Sequence, residues 1–144
     1  MTGADATGRA TSLRLVALAA MVAAMVAGLA SRRWPDVLPA ALGKYPGDAL
    51  WALMVFFAWR ALRPCTRTRE VALAAMLTSA VVEIAKLWQA PWLVAFRHTT
   101  VGHLLLGHVF SWRNLVAYAA GVLAGAALDR LITGPRFTPP PHDT

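Results

Sequence analysis

The sequence has 144 residues, of which 58% are hydrophobic and 15% charged, yet its 14 Lys and Arg against 7 Asp and Glu leave a formal net charge of +7. Soluble domains are about 45–50% apolar and about 25% charged, so this composition argues against a soluble domain and predicts an integral membrane protein. The arginines are spread among the ends of apolar stretches without a basic run, which argues against a nucleic-acid binder.

Four apolar stretches predict an all-α integral membrane bundle of four transmembrane helices, at residues 13–30, 47–63, 71–90 and 114–132. A membrane span takes about 20 largely apolar residues, with about 17 tolerated, so the second span has to keep its end charges at the membrane surface. The single transmembrane domain, 13–132, is predicted to lie between a disordered tail at 1–12 and a disordered Pro-rich tail at 133–144.

The first stretch also fits a secretory signal peptide, because arginines precede it and small residues end it at 28–30. A retained helix is favoured, because the apolar run is long for a signal sequence. In addition, Ala20, Ala24 and Gly28 repeat at four-residue spacing, which gives a smooth face for helix packing. Cleavage would leave three helices.

Residues 99–112, which follow Arg97, are apolar and contain no Lys, Arg, Asp or Glu. They are too short to cross a membrane. A stretch of about 10–14 such residues predicts a re-entrant or interfacial segment before the last helix. The histidines at 98, 103 and 108 are five residues apart, a step that turns about 140° on a helix, so they do not predict a metal site. We find no catalytic motif and no cofactor-binding motif.

The distribution of Lys and Arg predicts the orientation. With four spans, the amino terminus, the second loop and the carboxyl terminus share one side, which carries eight basic residues against five on the other. The positive-inside rule then predicts both termini in the cytoplasm, together with the only cysteine, Cys65. Most Trp and Tyr fall at the outer end, which indicates either a thick interfacial layer or a ligand-lining role.

Glu83 and Lys86 fall inside the third span, where charges are costly. Their three-residue spacing puts them on one helix face, where they can pair. The pair indicates either a polar clamp between helices or a binding or proton-handling site. Polar residues from other spans reach the same level, and the candidate ligand-binding set is Asp48, Glu83, Lys86, Arg97, Asn114 and Tyr118.

The last span carries glycines on the same face as Asn114 and Tyr118. Gly121 and Gly125 form a small-xxx-small pattern, which predicts that this helix packs closely against a neighbour.

Several sequence blocks resemble a family of bacterial membrane proteins: Gly-Asp-Ala-Leu-Trp at 47–51, Val-Glu at 82–83, Ala-Pro-Trp-Leu at 90–93, Arg-His-Thr at 97–99 and Phe-Ser-Trp at 110–112. Together they resemble domain-of-unknown-function family 2809, and more distantly the VanZ-like proteins, over residues 31–129. The resemblance implies a small four-helix inner-membrane protein without an assigned activity. The family pattern has Gln and Asp where this sequence has Lys86 and Asn114. If Glu83 and that Asp form a proton-handling couple in relatives, the couple is absent from this sequence.

Three functional hypotheses follow. In the first, a non-enzymatic membrane protein binds an amphipathic or anionic envelope molecule, such as a lipid headgroup, in an outer-leaflet pocket with Arg97 and Lys86 as anion contacts. In the second, the glycine face holds the chain in a homo-oligomer or a membrane complex. In the third, a membrane-surface enzyme uses Glu83 or Asp48 as its base. No nucleophile or metal set accompanies the acid, so we do not expect catalysis.

Overall fold

All regular secondary structure in the described part of the computed structural model, residues 3–34, 39, 44–106 and 110–134, is α-helical. The described residues form six helices: α1 (Gly3–Arg33), α2 (Tyr45–Leu62), α3 (Thr68–Ala85), α4 (Pro91–Arg97), α5 (Thr100–Leu106) and α6 (Trp112–Thr133). The four long helices, α1, α2, α3 and α6, coincide with the four apolar stretches of the sequence.

Within the described residues, two helices are long and apolar enough to cross a membrane: Thr7–Arg33 of α1, and α6. The other two long helices are shorter, with 18 residues each. Asp48 and Arg60 lie near the ends of α2, and Glu83 lies near the end of α3. Length and hydropathy therefore identify two candidate spans rather than the four that were predicted.

The helices pack in an up-and-down arrangement. α2, α3 and α6 contact one another, and α1 packs along α2. α1 is antiparallel to α2, because the Arg14 guanidinium donates to the Ala61 carbonyl at 3.1 Å while Gly28 lies beside Leu50 near the other end. Phe56 on α2 is completely buried at the centre of the core.

This arrangement gives the bundle two ends. The Glu83 end contains the start of α2, the end of α3, α4, α5 and the start of α6. The Arg60 end contains the end of α2, the start of α3 and the end of α6.

The first helix begins earlier than the sequence predicts. α1 starts at Gly3, so residues 3–12 extend the apolar helix instead of forming the disordered tail predicted at 1–12. No proline interrupts this stretch, and the Thr11 and Ser12 hydroxyls donate to carbonyls one turn earlier, at 3.0 and 3.1 Å. The hydroxyl groups of these polar residues are therefore satisfied within the helix itself.

The region before α6 also differs from the prediction. α3 ends at Ala85 rather than at residue 90, and α4 begins at Pro91, where a missing N–H costs nothing. The predicted re-entrant or interfacial segment, 99–112, contains α5. Residues 107–109 of that segment, which include His108, lie outside the described residues, as do the side chain of His103 and residues 135–144 of the predicted tail.

Candidate functional site

A carboxylate from α3 lies at the centre of a buried polar cluster. Glu83 has no solvent exposure. Its Oε1 accepts hydrogen bonds from the Asn114 amide at 3.0 Å and from the Ser111 backbone N–H at 2.7 Å. Its Oε2 accepts from Lys86 Nζ at 2.5 Å and from the Tyr118 hydroxyl at 2.8 Å. We call these five residues the Glu83 cluster.

The hydrogen bonds use the full capacity of the Glu83 carboxylate. An ionised carboxylate offers about four lone-pair positions, and here four donors occupy them. Lys86 supplies the opposite charge, and its Nζ also donates to the Tyr118 oxygen at 3.2 Å. Complete hydrogen bonding of this kind is what makes a buried ion pair tolerable. The cluster therefore fixes the end of α3 against the start of α6.

Helical spacing explains why these side chains meet. The buried positions of α3 are Val71, Ala75, Ser79 and Glu83, which repeat every four residues and form one stripe. The small residues of this stripe let α3 approach its neighbours, and the Ser79 hydroxyl bonds to its own helix at 2.9 Å. The stripe ends at Glu83, where the start of α6 supplies hydrogen-bond donors.

Arg97 terminates α3 from outside the helix. Its guanidinium donates to the Trp88 carbonyl at 3.1 Å, to the Lys86 carbonyl at 3.4 Å and to the Ala85 carbonyl. The last carbonyls of a helix have no partner within it, and a buried cation there satisfies both their hydrogen bonds and the negative end of the helix dipole. Arg97 is buried, so it acts here as a cap that holds α4 against α3.

The turn after α4 depends on a glycine. A Cβ at Gly102 would lie 1.9 Å from the Phe96 carbonyl oxygen. Only a residue without a side chain allows α5 to fold back this closely on α4.

Asp48 lies beside the Glu83 cluster without bonding to it. It occupies the first turn of α2, where a negative charge is favoured, and its Oδ1 pairs with Arg32 at 3.4 Å. One turn later, the Trp51 ring contacts the Tyr118 ring at a centroid distance of 5.4 Å. This ring contact connects α2 to the cluster.

The structure thus divides the six predicted ligand-binding residues into three groups. Glu83, Lys86, Asn114 and Tyr118 are bonded together, Arg97 caps α3, and Asp48 pairs with Arg32. Some buried polar atoms at this end have no hydrogen-bond partner among the described residues: Asp48 Oδ2, Trp51 Nε1, Arg97 Nε and Asn114 Oδ1.

The two glycines predicted for packing lie where α6 crosses α2. A Cβ at Gly121 would be 2.0 Å from the Ala49 carbonyl oxygen, and one at Gly125 would be 2.7 Å from the Phe56 ring. Both positions are buried inside this chain. The glycine face is therefore occupied by α2.

A second buried polar cluster lies at the Arg60 end, and the sequence analysis missed it. Arg60 forms an ion pair with Asp129 of α6, and the Thr68 hydroxyl donates to the same carboxylate at 2.6 Å. Arg60 also donates to the carbonyls of Thr66, at 2.6 Å, and Pro64, at 3.3 Å. We call these five residues the Arg60 cluster. Asp129 was the signal in the sequence that could have revealed this cluster. It is an acid near the end of an apolar span, and like Glu83 it needs a partner to offset the cost of its charge there.

Two cavities accompany the clusters. At the Glu83 end, a groove of about 180 Å³ lies between α1, α2 and α5. Its walls are almost entirely apolar, and Arg32 and Trp51 are also among the lining residues. At the Arg60 end, a cavity of about 350 Å³ is lined by arginine and threonine side chains.

The fold and the clusters define a class of protein: an all-α chain whose described residues include two helices suited to crossing a membrane, with buried polar clusters at both ends of the bundle. The chain belongs to the family of proteins of unknown function DUF2809, whose model matches residues 37–122. This confirms the family predicted from the sequence blocks. The match includes the whole Glu83 cluster, while α1 and Asp129 lie outside it. No solved structure matches the chain.

Proposed function

We propose that this chain is a multi-pass inner-membrane protein that binds an anionic, amphipathic lipid of the envelope in the groove between α1, α2 and α5. The proposal has all four long helices crossing the membrane and both termini in the cytoplasm. The Glu83 end then lies at the outer leaflet.

The outward face of α3 supports its placement in lipid. Leu73, Leu77, Val81 and Ile84 are each at least 60% exposed, while the inward face carries Ser79 and Glu83. Apolar side chains outside and polar ones inside suit a helix whose surroundings are hydrocarbon. α2 has little outward face, because α1, α3 and α6 all pack against it. Low hydropathy in α2 is therefore compatible with a span at the centre of the bundle.

One observation carries the binding proposal: the groove combines apolar walls with a cation at its edge. Met25, Leu29 and Leu105 line it together with Arg32. The Arg32 guanidinium is paired with Asp48 at 3.4 Å, and its side chain is 35% exposed, so it keeps donors for an anion. Small-molecule sites are usually about 300–1,000 Å³, so a groove of about 180 Å³ suits part of an acyl chain.

The polar residues around the groove then have positioning roles. Gly47 lets Arg32 lie across the start of α2, because a Cβ there would be 3.1 Å from Arg32 Nε. The Glu83 cluster holds Tyr118, and Tyr118 contacts Trp51, whose buried Nε1 has no partner among the described residues. Lys86 and Arg97 donate hydrogen bonds to groups within the chain, so we assign the headgroup contact to Arg32 instead.

The alternatives have weaker support. An assembly role through Gly121 and Gly125 would need a different surface, since α2 covers that face. An enzyme that uses Glu83 as its base would need a free lone pair, and the four hydrogen bonds to Glu83 leave none.

The test is lipid binding measured by native mass spectrometry of the detergent-solubilised chain titrated with phosphatidylglycerol or phosphatidylcholine. Arg32→Gln is expected to weaken phosphatidylglycerol binding about tenfold, which corresponds to about 1.4 kcal/mol, and to leave phosphatidylcholine binding nearly unchanged. Arg33→Gln is the matched control, because Arg33 is the exposed neighbour in the same last turn.

A second pair of variants tests the acyl-chain part of the groove. Met25→Trp fills it and is expected to weaken binding of both lipids. Val22→Trp, at a similarly exposed position of α1 outside the groove, is expected to have little effect. Equal binding by Arg32→Gln, Met25→Trp and the unaltered chain would refute the proposal.

A further inference from the structure

The cavity at the Arg60 end has the lining of an anion site. Its volume of about 350 Å³ falls in the usual range for small-molecule sites. Three arginines line it, Arg60, Arg67 and Arg130, and no carboxylate is among the described lining residues. Thr66 and Thr68 add hydroxyl groups.

The cationic charge at this cavity is only partly compensated. Asp129 pairs with Arg60 and neutralises it. Arg67 and Arg130 are exposed, and neither forms an ion pair with a described residue. Three arginines minus one aspartate leave a charge of +2 at the cavity.

The start of α3 adds backbone donors. Arg67 is the N-cap of this 18-residue helix and Thr68 is its first residue, and no side chain caps the helix. The first N–H groups of a helix have no partner within it and carry partial positive charge, which suits phosphate. Independently, the buried Arg60 side chain lines the cavity, and its Nε has no partner among the described residues.

The geometry points to a binding site in this cavity for a phosphate group, carried by a free phosphate compound or by a phospholipid headgroup. The phosphate lies on the α3 side, because the carbonyls that end α6 carry the opposite partial charge. Arg67 contacts it through its planar fork, which matches phosphate oxygens, and Arg130 closes the cavity from α6. The site lies at the opposite end of the bundle from the proposed lipid groove, so either can fail without the other.

The experiment compares three single variants of the full chain in detergent, each titrated with inorganic phosphate by isothermal calorimetry at constant ionic strength. Arg67→Gln and Arg130→Gln are each expected to raise the dissociation constant at least fivefold. Arg63→Gln is the matched control, because Arg63 is exposed in the same loop but does not line the cavity. All three replaced arginines are exposed, so the three variants are expected to have similar melting temperatures.

A second arm identifies the source of the phosphate. The same variants are placed in nanodiscs, and binding of phosphatidylglycerol is measured against phosphatidylcholine. Saturable binding of inorganic phosphate that depends on Arg67 assigns a free phosphate compound. Arg67-dependent enrichment of phosphatidylglycerol without phosphate binding assigns a headgroup. Absence of both, or an equal loss in Arg63→Gln and Arg67→Gln, overturns the site.

Discussion

The Tyr118 hydroxyl lies 2.8 Å from Glu83 Oε2 and joins α6 to α3 at the level where Lys86 neutralises the acid. Because Tyr118 also contacts Trp51, this one bond relates three helices at the Glu83 end. The side chains that looked most like free functional groups in the sequence are thus the ones that hold the bundle together.

Glu83→Gln is expected to lower the free energy of unfolding by about 3 kcal/mol. The substitution leaves Lys86 buried without its acid and turns an NH₂ group toward existing donors. Chemical unfolding followed by circular dichroism in detergent measures the loss. Glu70→Gln, at an exposed position in the first turn of α3, is expected to change stability by less than about 0.5 kcal/mol. Equal effects of the two substitutions would contradict the cluster.

The Arg60 and Asp129 pair gives a different test, because both partners can be replaced. Asp129→Leu alone leaves the buried Arg60 cation without its acid and is expected to lower the free energy of unfolding by about 3–5 kcal/mol. Adding Arg60→Met to Asp129→Leu is expected to recover most of that loss. The same unfolding experiment measures both, and a double variant no more stable than Asp129→Leu would show that the ion pair is not the cause.

The effect of a glycine-to-alanine substitution on stability is expected to depend on the space available for the added Cβ atom. Gly121→Ala places a Cβ against the rigid Ala49 carbonyl and is expected to cost about 3 kcal/mol. Gly125→Ala, which meets the Phe56 ring, is expected to cost less. Gly8→Ala meets nothing within 4 Å and is expected to stabilise α1 by about 0.5–1 kcal/mol. Melting temperatures in detergent give the order, and a Gly121→Ala variant as stable as Gly8→Ala would rule out the close α2–α6 contact.

Leu77→Arg tests whether α3 faces lipid. Leu77 is 66% exposed near the middle of α3, and an arginine at the centre of a span costs about 3 kcal/mol in insertion. Less protein is therefore expected in the alkali-washed membrane fraction. Leu62→Arg, 70% exposed at the end of α2, is expected to insert normally because its charge reaches the surface. A folded and soluble Leu77→Arg chain would show that this face contacts water.

Cys65 reports the orientation, because it is an exposed free thiol in the loop between α2 and α3. With both termini in the cytoplasm, a membrane-impermeant maleimide is expected to label it only after spheroplasts are permeabilised. A chain with Cys65→Ser and Trp88→Cys moves the thiol to an exposed position at the opposite end, where labelling of intact spheroplasts is expected. The reverse pattern would invert the topology.

The helices were predictable because they depend on local sequence. Long apolar stretches marked the four long helices, and the three-residue spacing of Glu83 and Lys86 marked their pairing. The Arg60 cluster was not predictable in this way, because Asp129 lies 69 residues from Arg60 and each looked like a charge at the end of a span. The end of α3 at Ala85 likewise depends on Arg97, which reaches it only through the fold of α4.

The same separation of 69 residues has a consequence during synthesis. At about 5–20 residues per second, Arg60 is made roughly 3–14 s before Asp129. Glu83 meets Lys86 almost at once, whereas the cation at the end of α2 has no carboxylate partner until α6 has been translated. On the proposed four-span topology, we therefore expect α2 to stay beside the insertion machinery until α6 has been made.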